Sequence, residues 1–310
     1  MLIISSKKIN ATRLMYDTIC YMNRFLNLEQ QIEKLENQKG LVISNKEYAK
    51  KVLLSIGYFS IVTGYKFPFK DENNNYRKGT RLEDLVALFK FDENLRDLTL
   101  KYILKIQQQM QTLSAYCFCS KFGENQKLYL NPDAYVFKKD NKYQVYRLTK
   151  ELDFIVNRSK DRRYIVEERK KGNVPLWVSI NAFSMGALTK FYKFLPEDVK
   201  TKIARHFDGV SCNALENMLE LVTDFRNVCA HAECLYNHKA YKKSVKVDKE
   251  DKSDFYALTT VFKTLLSSDD YLKFLKGLTN ILESFSSQCQ TLPKTELLSI
   301  MGFNSDYIPT

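Results

Sequence analysis

From Leu82 to Cys119 the chain reads LEDLVALFKFDENLRDLTLKYILKIQQQMQTLSAYCFC, a stretch that contains neither glycine nor proline. Its apolar residues recur at helical spacing, so it predicts one long core helix. The chain as a whole has only ten Gly and six Pro. Few obligatory turns favour long helices over many short strands.

The flanking segments agree. LNLEQQIEKLENQKG (Leu26 to Gly40) has helical periodicity and a glycine stop. KEYAKKVLLSIGYFSIVTGYKFPF predicts a helix running into an aromatic-rich extended segment, and KDENNNYRKGT a polar loop. The whole of 1–310 is expected to form a single all-α unit; after the long helix, GENQKLYLNPDAYVFKKDNK breaks the pattern and is the best candidate for a boundary between two sub-lobes within it, an N-terminal one of about 1–125 and a second of about 146–310. Helical patterning returns over Leu148–Gly172 and Val178–Leu195. PEDVKTKIARHF opens with a proline and two acids, a sensible helix N-terminus. Two more helices are expected over Asp254–Leu266 and Tyr271–Phe285, with a short one near the end. The fold class expected is all-α.

With 45% apolar and 27% charged residues, 310 residues suffice for a globular protein with a substantial core. No run of about eighteen apolar residues occurs, so no membrane span is expected. The opening MLIISSKK is too short for a signal-peptide core. Seven scattered cysteines, none in a CxxC pair, fit the reduced thiols of a cytoplasmic protein.

The net charge of +12 predicts attraction to polyanions. It is concentrated between Lys138 and Gly172, where Lys138, Lys139, Lys142, Arg147, Lys150, Arg158, Lys160, Arg162, Arg163, Arg169, Lys170 and Lys171 outnumber six acids. Such a strip is either a solvated helix face or a phosphate-contacting surface. Tyr143, Tyr146 and Tyr164 lie within it and could stack on bases, although core burial is the more ordinary use of tyrosine in so aromatic a chain.

The chain has three histidines, and one stands in RNVCAHAECLYNH, residues 226–238. Arg226 and His231 are a suitable pair for cleaving RNA without a metal. A group of near-neutral pKa must take the proton of the ribose 2′-OH or give one to the leaving oxygen. The planar fork of arginine fits the charge that develops on phosphate. Spacing alone is a weak signal, and on an ideal helix residues five apart sit about 140° apart, whereas Asn227 and His231 share a face. Cys229, His231, Cys234 and His238 form a C-x-H-x2-C-x3-H set, but its spacing matches no common zinc site. Cys229 as a nucleophile has no evident oxyanion loop or orienting acid. A histidine satisfied in the core is the ordinary alternative.

Several ordered blocks carry more weight than the pair alone. LNLEQQIEKLENQKGLVIS, IGYFSIVTGYKFPF, TRLEDLVALFKFDENLRDLTL, VPLWVSINAFSMGALTKFYKFL and FRNVCAHAECLYN together resemble the Abi-like abortive-infection family (AbiD/AbiF type) of the HEPN superfamily, over about Leu26 to Asn237. The resemblance implies a HEPN-type helical bundle with additional N-terminal helices. It also implies a metal-independent endoribonuclease that leaves a 2′,3′-cyclic phosphate, with Arg226 and His231 catalytic and Asn227 supporting. No cofactor and no metal are implied. RNA is the expected partner, both as substrate and as an associated structured non-coding RNA. Lys138, Lys139, Arg147, Arg158, Lys160, Arg162, Arg163, Arg169, Lys170 and Lys171 are its candidate contacts. Cys234 departs from the family pattern, standing where arginine is common. A chain with a single Arg-x4-His is expected to form a homodimer that brings two motifs together. The rival reading is a non-catalytic RNA-binding protein that forms a ribonucleoprotein and uses Arg226 and His231 for phosphate contact only.

Overall fold

A computed structural model of the protein describes residues 25–304, apart from positions 138, 139, 242 and 248. Lys138 and Lys139 therefore lie outside the described residues. The glycine-free stretch forms a single helix, α3 (Leu82–Phe122, 41 residues), longer by about one turn than the segment read from the sequence. Before it come α1 (Leu28–Glu33) and α2 (Lys46–Ser55). After it come α4 (Gln126–Leu130), α5 (Lys142–Asp153), α6 (Arg163–Lys170), α7 (Leu176–Ser179), α8 (Met185–Phe194), α9 (Glu197–Ala204) and α10 (Cys212–Ala230). A short hairpin, β1 (Val245–Val247) and β2 (Glu250–Lys252), precedes α11 (Phe255–Leu265), α12 (Ser268–Gln288) and α13 (Lys294–Ile300). The fold is mainly α-helical, and the antiparallel hairpin, with Val245 opposite Lys252, is its one departure from the all-α expectation among the described residues.

Side-chain caps set many of the helix starts. Asn27 and Gln30 form a reciprocal capping box on α1, and Asn45, Ser184, Ser211 and Asp254 each accept a backbone N–H from the first turn of α2, α8, α10 and α11. The aromatic-rich segment after α2 is not extended. Gly57 at φ +90° ends the helix, and the chain then makes a π turn over Phe59–Thr63 and a 3-10 turn over Phe67–Phe69. Its β-branched residues favour a strand locally, but Ile61, Val62 and Phe69 are buried through helical turns, so packing overrides propensity.

Two compact units emerge. The first holds the described residues up to Ala87 together with Cys289–Leu292; the second holds Leu88–Gln288 and the described residues from Pro293 onward. The division falls inside α3, between Ala87 and Leu88. The reason is local: within the first unit the fully buried carboxylate of Asp84 accepts the Gln290 N–H and the Thr291 hydroxyl, while also pairing with Arg81. The break in periodicity is taken up by α4 and a 3-10 turn, with Tyr129 donating to the Val174 carbonyl.

In the second unit α3 is buried by aromatic packing along its length. Phe91 meets Phe285, Tyr102 meets Phe274, and Phe118 sits among Phe122, Tyr135 and Phe191. α12 approaches it closely at Gly277, where an added Cβ would meet Leu98 at 2.7 Å. Glycine in a helix interior costs about 1 kcal/mol relative to alanine, and here it leaves room for the end of the Leu98 side chain.

Candidate functional site

The segment that carries Arg226 and His231 is built from α10. Leu215, Leu219, Val222, Phe225, Val228 and Cys229 form its buried stripe. Its main partner is α8, which it meets through small hydroxyl side chains: Thr189 and Thr223, both buried, share a hydrogen bond of 2.8 Å. Lys193 and Lys200 add ion pairs to Glu216, and Lys193 also reaches Glu220. With that face and stripe packed, Asn227 and His231 are left exposed and Arg226 half-buried.

α10 stops at Ala230. His231 is its C-cap (φ −96°, ψ 7°), with its N–H on the Asn227 carbonyl at 2.9 Å. Ala232 N–H then bonds the Cys229 carbonyl and Glu233 N–H the Val228 carbonyl. These two bonds define a Schellman ending, whose left-handed position usually belongs to glycine. Here it is Ala232, at φ +55°. A left-handed conformation costs a residue with a Cβ about 1–2 kcal/mol, so the chain leaves the histidine through a strained turn. The five-residue spacing of the pair thus straddles a helix end.

What holds this turn is Asp92, fully buried on α3. Its carboxylate accepts the backbone N–H of Leu235 at 3.1 Å and of Tyr236 at 2.7 Å. It also pairs with Arg96 at 2.6 Å, and the same Arg96 nitrogen donates to the Glu233 carbonyl at 3.3 Å. A charged acceptor bridging two backbone donors and a guanidinium is among the stronger arrangements available to a buried carboxylate. The FDENLR block is therefore the anchor of the segment after His231, a role that sequence reasoning did not assign. The only available signal was an acid and an arginine four apart within an otherwise apolar helix stripe.

Arg226 has an unusual environment. Its Nε is buried and has no hydrogen-bond partner among the described residues. Beside it, burial pushes the Cys229 thiol up to about 12; Asp92 adds to the rise while Arg96 and Arg226 pull against it. A thiol so placed is protonated at neutral pH, which removes Cys229 as a nucleophile.

The four-residue Cys/His set does not converge. Cys229 is buried, His231 is exposed, and His238 places its Nε2 2.7 Å from Asp224 Oδ1 with its ring edge-on to Phe225. Among the described residues no group of three or more His, Cys, Asp or Glu side chains is arranged to hold a metal ion.

The basic strip lies on α5, α6 and the turns between them. Arg147, Arg158, Lys160, Arg162, Arg163, Lys170 and Lys171 are on its solvent side. Arg163 faces Glu167 at 3.4 Å, Lys171 faces Glu168 at 2.6 Å, and Arg158 lies 3.9 Å from Asp153. Arg169 differs: its guanidinium bonds the carbonyls of Val156 and Ser159, tying α6 to the preceding turn. Tyr143, Tyr146 and Tyr164 are not core residues. They are 73%, 42% and 41% exposed, because the buried stripe of α5 is filled by Val145, Leu148 and Leu152 and that of α6 by Ile165.

With this geometry in hand, comparison with known families matches residues 51–237 to the model of the Abi-like protein family. The match covers more than half of the chain, from within α2 through the clamped turn after His231. The protein belongs to the Abi-like family, which points to abortive-infection defence. Comparison with curated proteins and with solved structures gave no match. No helix among the described residues is long and apolar enough to cross a membrane.

Proposed function

We propose that this Abi-like protein is a metal-independent endoribonuclease of the HEPN type, acting in abortive infection, with Arg226, Asn227 and His231 at its centre. The observation that carries the reading is the Arg226 guanidinium, whose buried Nε–H has no partner among the described residues. Leaving a buried donor unmade costs about 1–3 kcal/mol; an outward shift of the guanidinium would bring this N–H to a phosphate oxygen in a charge-assisted bond. His231, exposed at a helix end, is open to the same ligand.

In the reaction the ribose 2′-oxygen attacks phosphorus, forming a new O–P bond, and the bond to the 5′-oxygen breaks. One imidazole removes the 2′-OH proton and an imidazolium returns a proton to the leaving 5′-oxygen. The products are a 2′,3′-cyclic phosphate and a 5′-hydroxyl. Arg226 neutralises the charge that grows on the non-bridging oxygens, and Asn227 orients either the imidazole or the phosphate. The exposed cations and tyrosines of α5 and α6 hold the strand, with or without a resident structured RNA.

His231→Ala should reduce cleavage by roughly 10²-fold or more while RNA binding survives, and EDTA should leave the wild type active. Full activity in the variant, or loss of activity with EDTA, would overturn the reading. A protein that binds a discrete RNA and never cleaves would be the ribonucleoprotein alternative. Because the chain has one Arg-x4-His, the site is completed by a second copy, the two motifs lining one cleft. Mixing His231→Ala with wild-type protomers should lower the activity per wild-type chain as mixed dimers form. A monomer that cleaves at every concentration excludes the shared cleft.

A further inference from the structure

Between Ile106 and Ser120, IQQQMQTLSAYCFCS, α3 has no charged residue, although charged residues make up 27% of the chain. About four turns of the helix are therefore free of formal charge. The lysines at either end are both engaged, Lys105 with Asp270 and Lys121 with Asp198. Against this stretch, still within the second unit, the Trp177–Asn181 turn borders a half-open cavity of about 580 Å³. That volume is in the range of small-molecule pockets, about 300–1,000 Å³.

The lining has the chemistry of a particular ligand class. Trp177, the chain's one tryptophan, is 52% exposed, and Tyr116 is 73% exposed, so two flat aromatic side chains border the cavity when burial would be the default. Gln111 is only 7% exposed, yet its amide makes no hydrogen bond among the described residues. The amide is not among the buried polar atoms that lack a partner, so it is accessible from the cavity that it lines; a ligand edge bearing both a donor and an acceptor would meet it there. The Asn181 amide nitrogen is used on the carbonyls of Trp177 and Val178, which leaves its oxygen as a fixed acceptor. No cation or carboxylate lines the space among the described residues, so the group it holds is neutral.

From aromatic faces, a two-sided amide and a fixed acceptor, we infer that this cavity is a nucleobase pocket. Stacking of an unpaired base on aromatic side chains with hydrogen bonds to its edge is how single-stranded RNA is read. The same chemistry would hold the base of a free nucleotide. The pocket is remote from the Arg226–His231 end: Arg96, which binds the turn after His231, precedes Gln111 on α3 by fifteen residues, roughly 22 Å of helix. A base bound here would select or tether an RNA, or report a nucleotide signal, without touching the scissile phosphate. The inference stands on the cavity's own lining and not on cleavage.

The single tryptophan makes the test direct. Full-length protein is titrated with AMP, GMP, CMP and UMP, with a short single-stranded RNA, and with ribose 5-phosphate as control, while Trp177 fluorescence is followed. Saturable quenching by at least one nucleotide or by the RNA is expected, and none by ribose 5-phosphate. Quenching by a mononucleotide identifies a free-nucleotide source; quenching by RNA alone identifies a strand base. Gln111→Leu and, on the surface, Tyr116→Ala should each weaken the interaction by about tenfold or more, the weight of one stacked base or one hydrogen-bonded edge, with the helical circular dichroism unchanged. His231→Ala should quench like the wild type, which separates failure of this pocket from failure of the nuclease reading. The inference is overturned if no ligand quenches, if both variants bind like the wild type, or if Trp177 emission changes only with protein concentration as dimers form, which would make this face a contact between copies.

Discussion

The turn after His231 and the basic strip of α5 and α6 are held in opposite ways. The turn is over-determined: two Schellman bonds, two backbone N–H groups on a buried carboxylate, and an arginine shared between Asp92 and the Glu233 carbonyl. The strip is loosely specified. Apart from Arg169, its described cations stand in solvent, and their carboxylate neighbours are themselves mostly exposed, so the pairs contribute little. Chemistry on one phosphodiester needs groups fixed to within a fraction of an ångström, whereas attraction to a phosphate backbone needs only charge at the right distance. The contrast predicts that damage to the first region is structural and local, and damage to the second is electrostatic and graded.

Removing the buried carboxylate should produce the largest effect. Asp92→Ala leaves the Arg96 guanidinium and two backbone donors without their acceptor, and breaking a buried pair in this way costs about 3–5 kcal/mol. Chemical denaturation should show that loss, and RNA cleavage should fall with it at temperatures where the protein is still folded. Asp92→Asn, which can still accept from a backbone N–H, should lie between Asp92→Ala and the wild type. Stability within about 1 kcal/mol of wild type for Asp92→Ala, the ordinary size of a point-mutation effect, would show that the turn is held by something else, and the contrast between the two regions would collapse.

Those same two regions differ in how far the sequence disclosed them. The long helix and α11 to α13 were legible because glycine-free stretches and helical periodicity are local signals. The Arg226–His231 pair and the charge excess of the strip were legible as residue types. Four features were not. The Asp92 clamp joins positions 143 apart in sequence, and nothing in FDENLR alone says which backbone it will meet. The left-handed turn at Ala232 lacks the glycine that would have announced it. The hairpin at Val245–Lys252 offers only three residues per strand, too short for alternation to register. Solvent exposure of Tyr143, Tyr146 and Tyr164 was equally hidden, since the choice between core and surface depends on which residues of α5 and α6 fill the interior first.

The strip offers the second test. Neutralising Arg158, Lys160, Arg162 and Arg163 together should leave stability within about 0.5 kcal/mol, as is usual for surface changes. RNA affinity should drop, and the log–log salt dependence should flatten by about 0.7 for each single-strand phosphate that is no longer neutralised. Cleavage at saturating RNA should persist, because none of these side chains belongs to the clamped turn. An unchanged salt slope would make the strip a solvated face and move RNA binding elsewhere. A matching drop in folding stability would mean that the region is as tightly built as the turn it is contrasted with.

The smallest effect, and the finest probe of the comparison, lies at Ala232. Replacing it with glycine relieves about 1–2 kcal/mol of left-handed strain and increases the freedom of the unfolded chain by about 0.4–1 kcal/mol. The net expectation for Ala232→Gly is a stabilisation of about 0.5–1 kcal/mol, the difference of those two effects, read as a shift in the denaturation midpoint. If Asp92 and Arg96 alone position the turn, cleavage should stay within about twofold of wild type, because their bonds are to Glu233, Leu235 and Tyr236 and do not involve the substituted side chain. A more stable protein with cleavage reduced by about tenfold, some 1.4 kcal/mol of transition-state stabilisation, would assign the strain itself to function. The Cβ of Ala232 would then be restricting the backbone that carries His231, and the turn would be held by a conformational restriction as well as by the buried carboxylate.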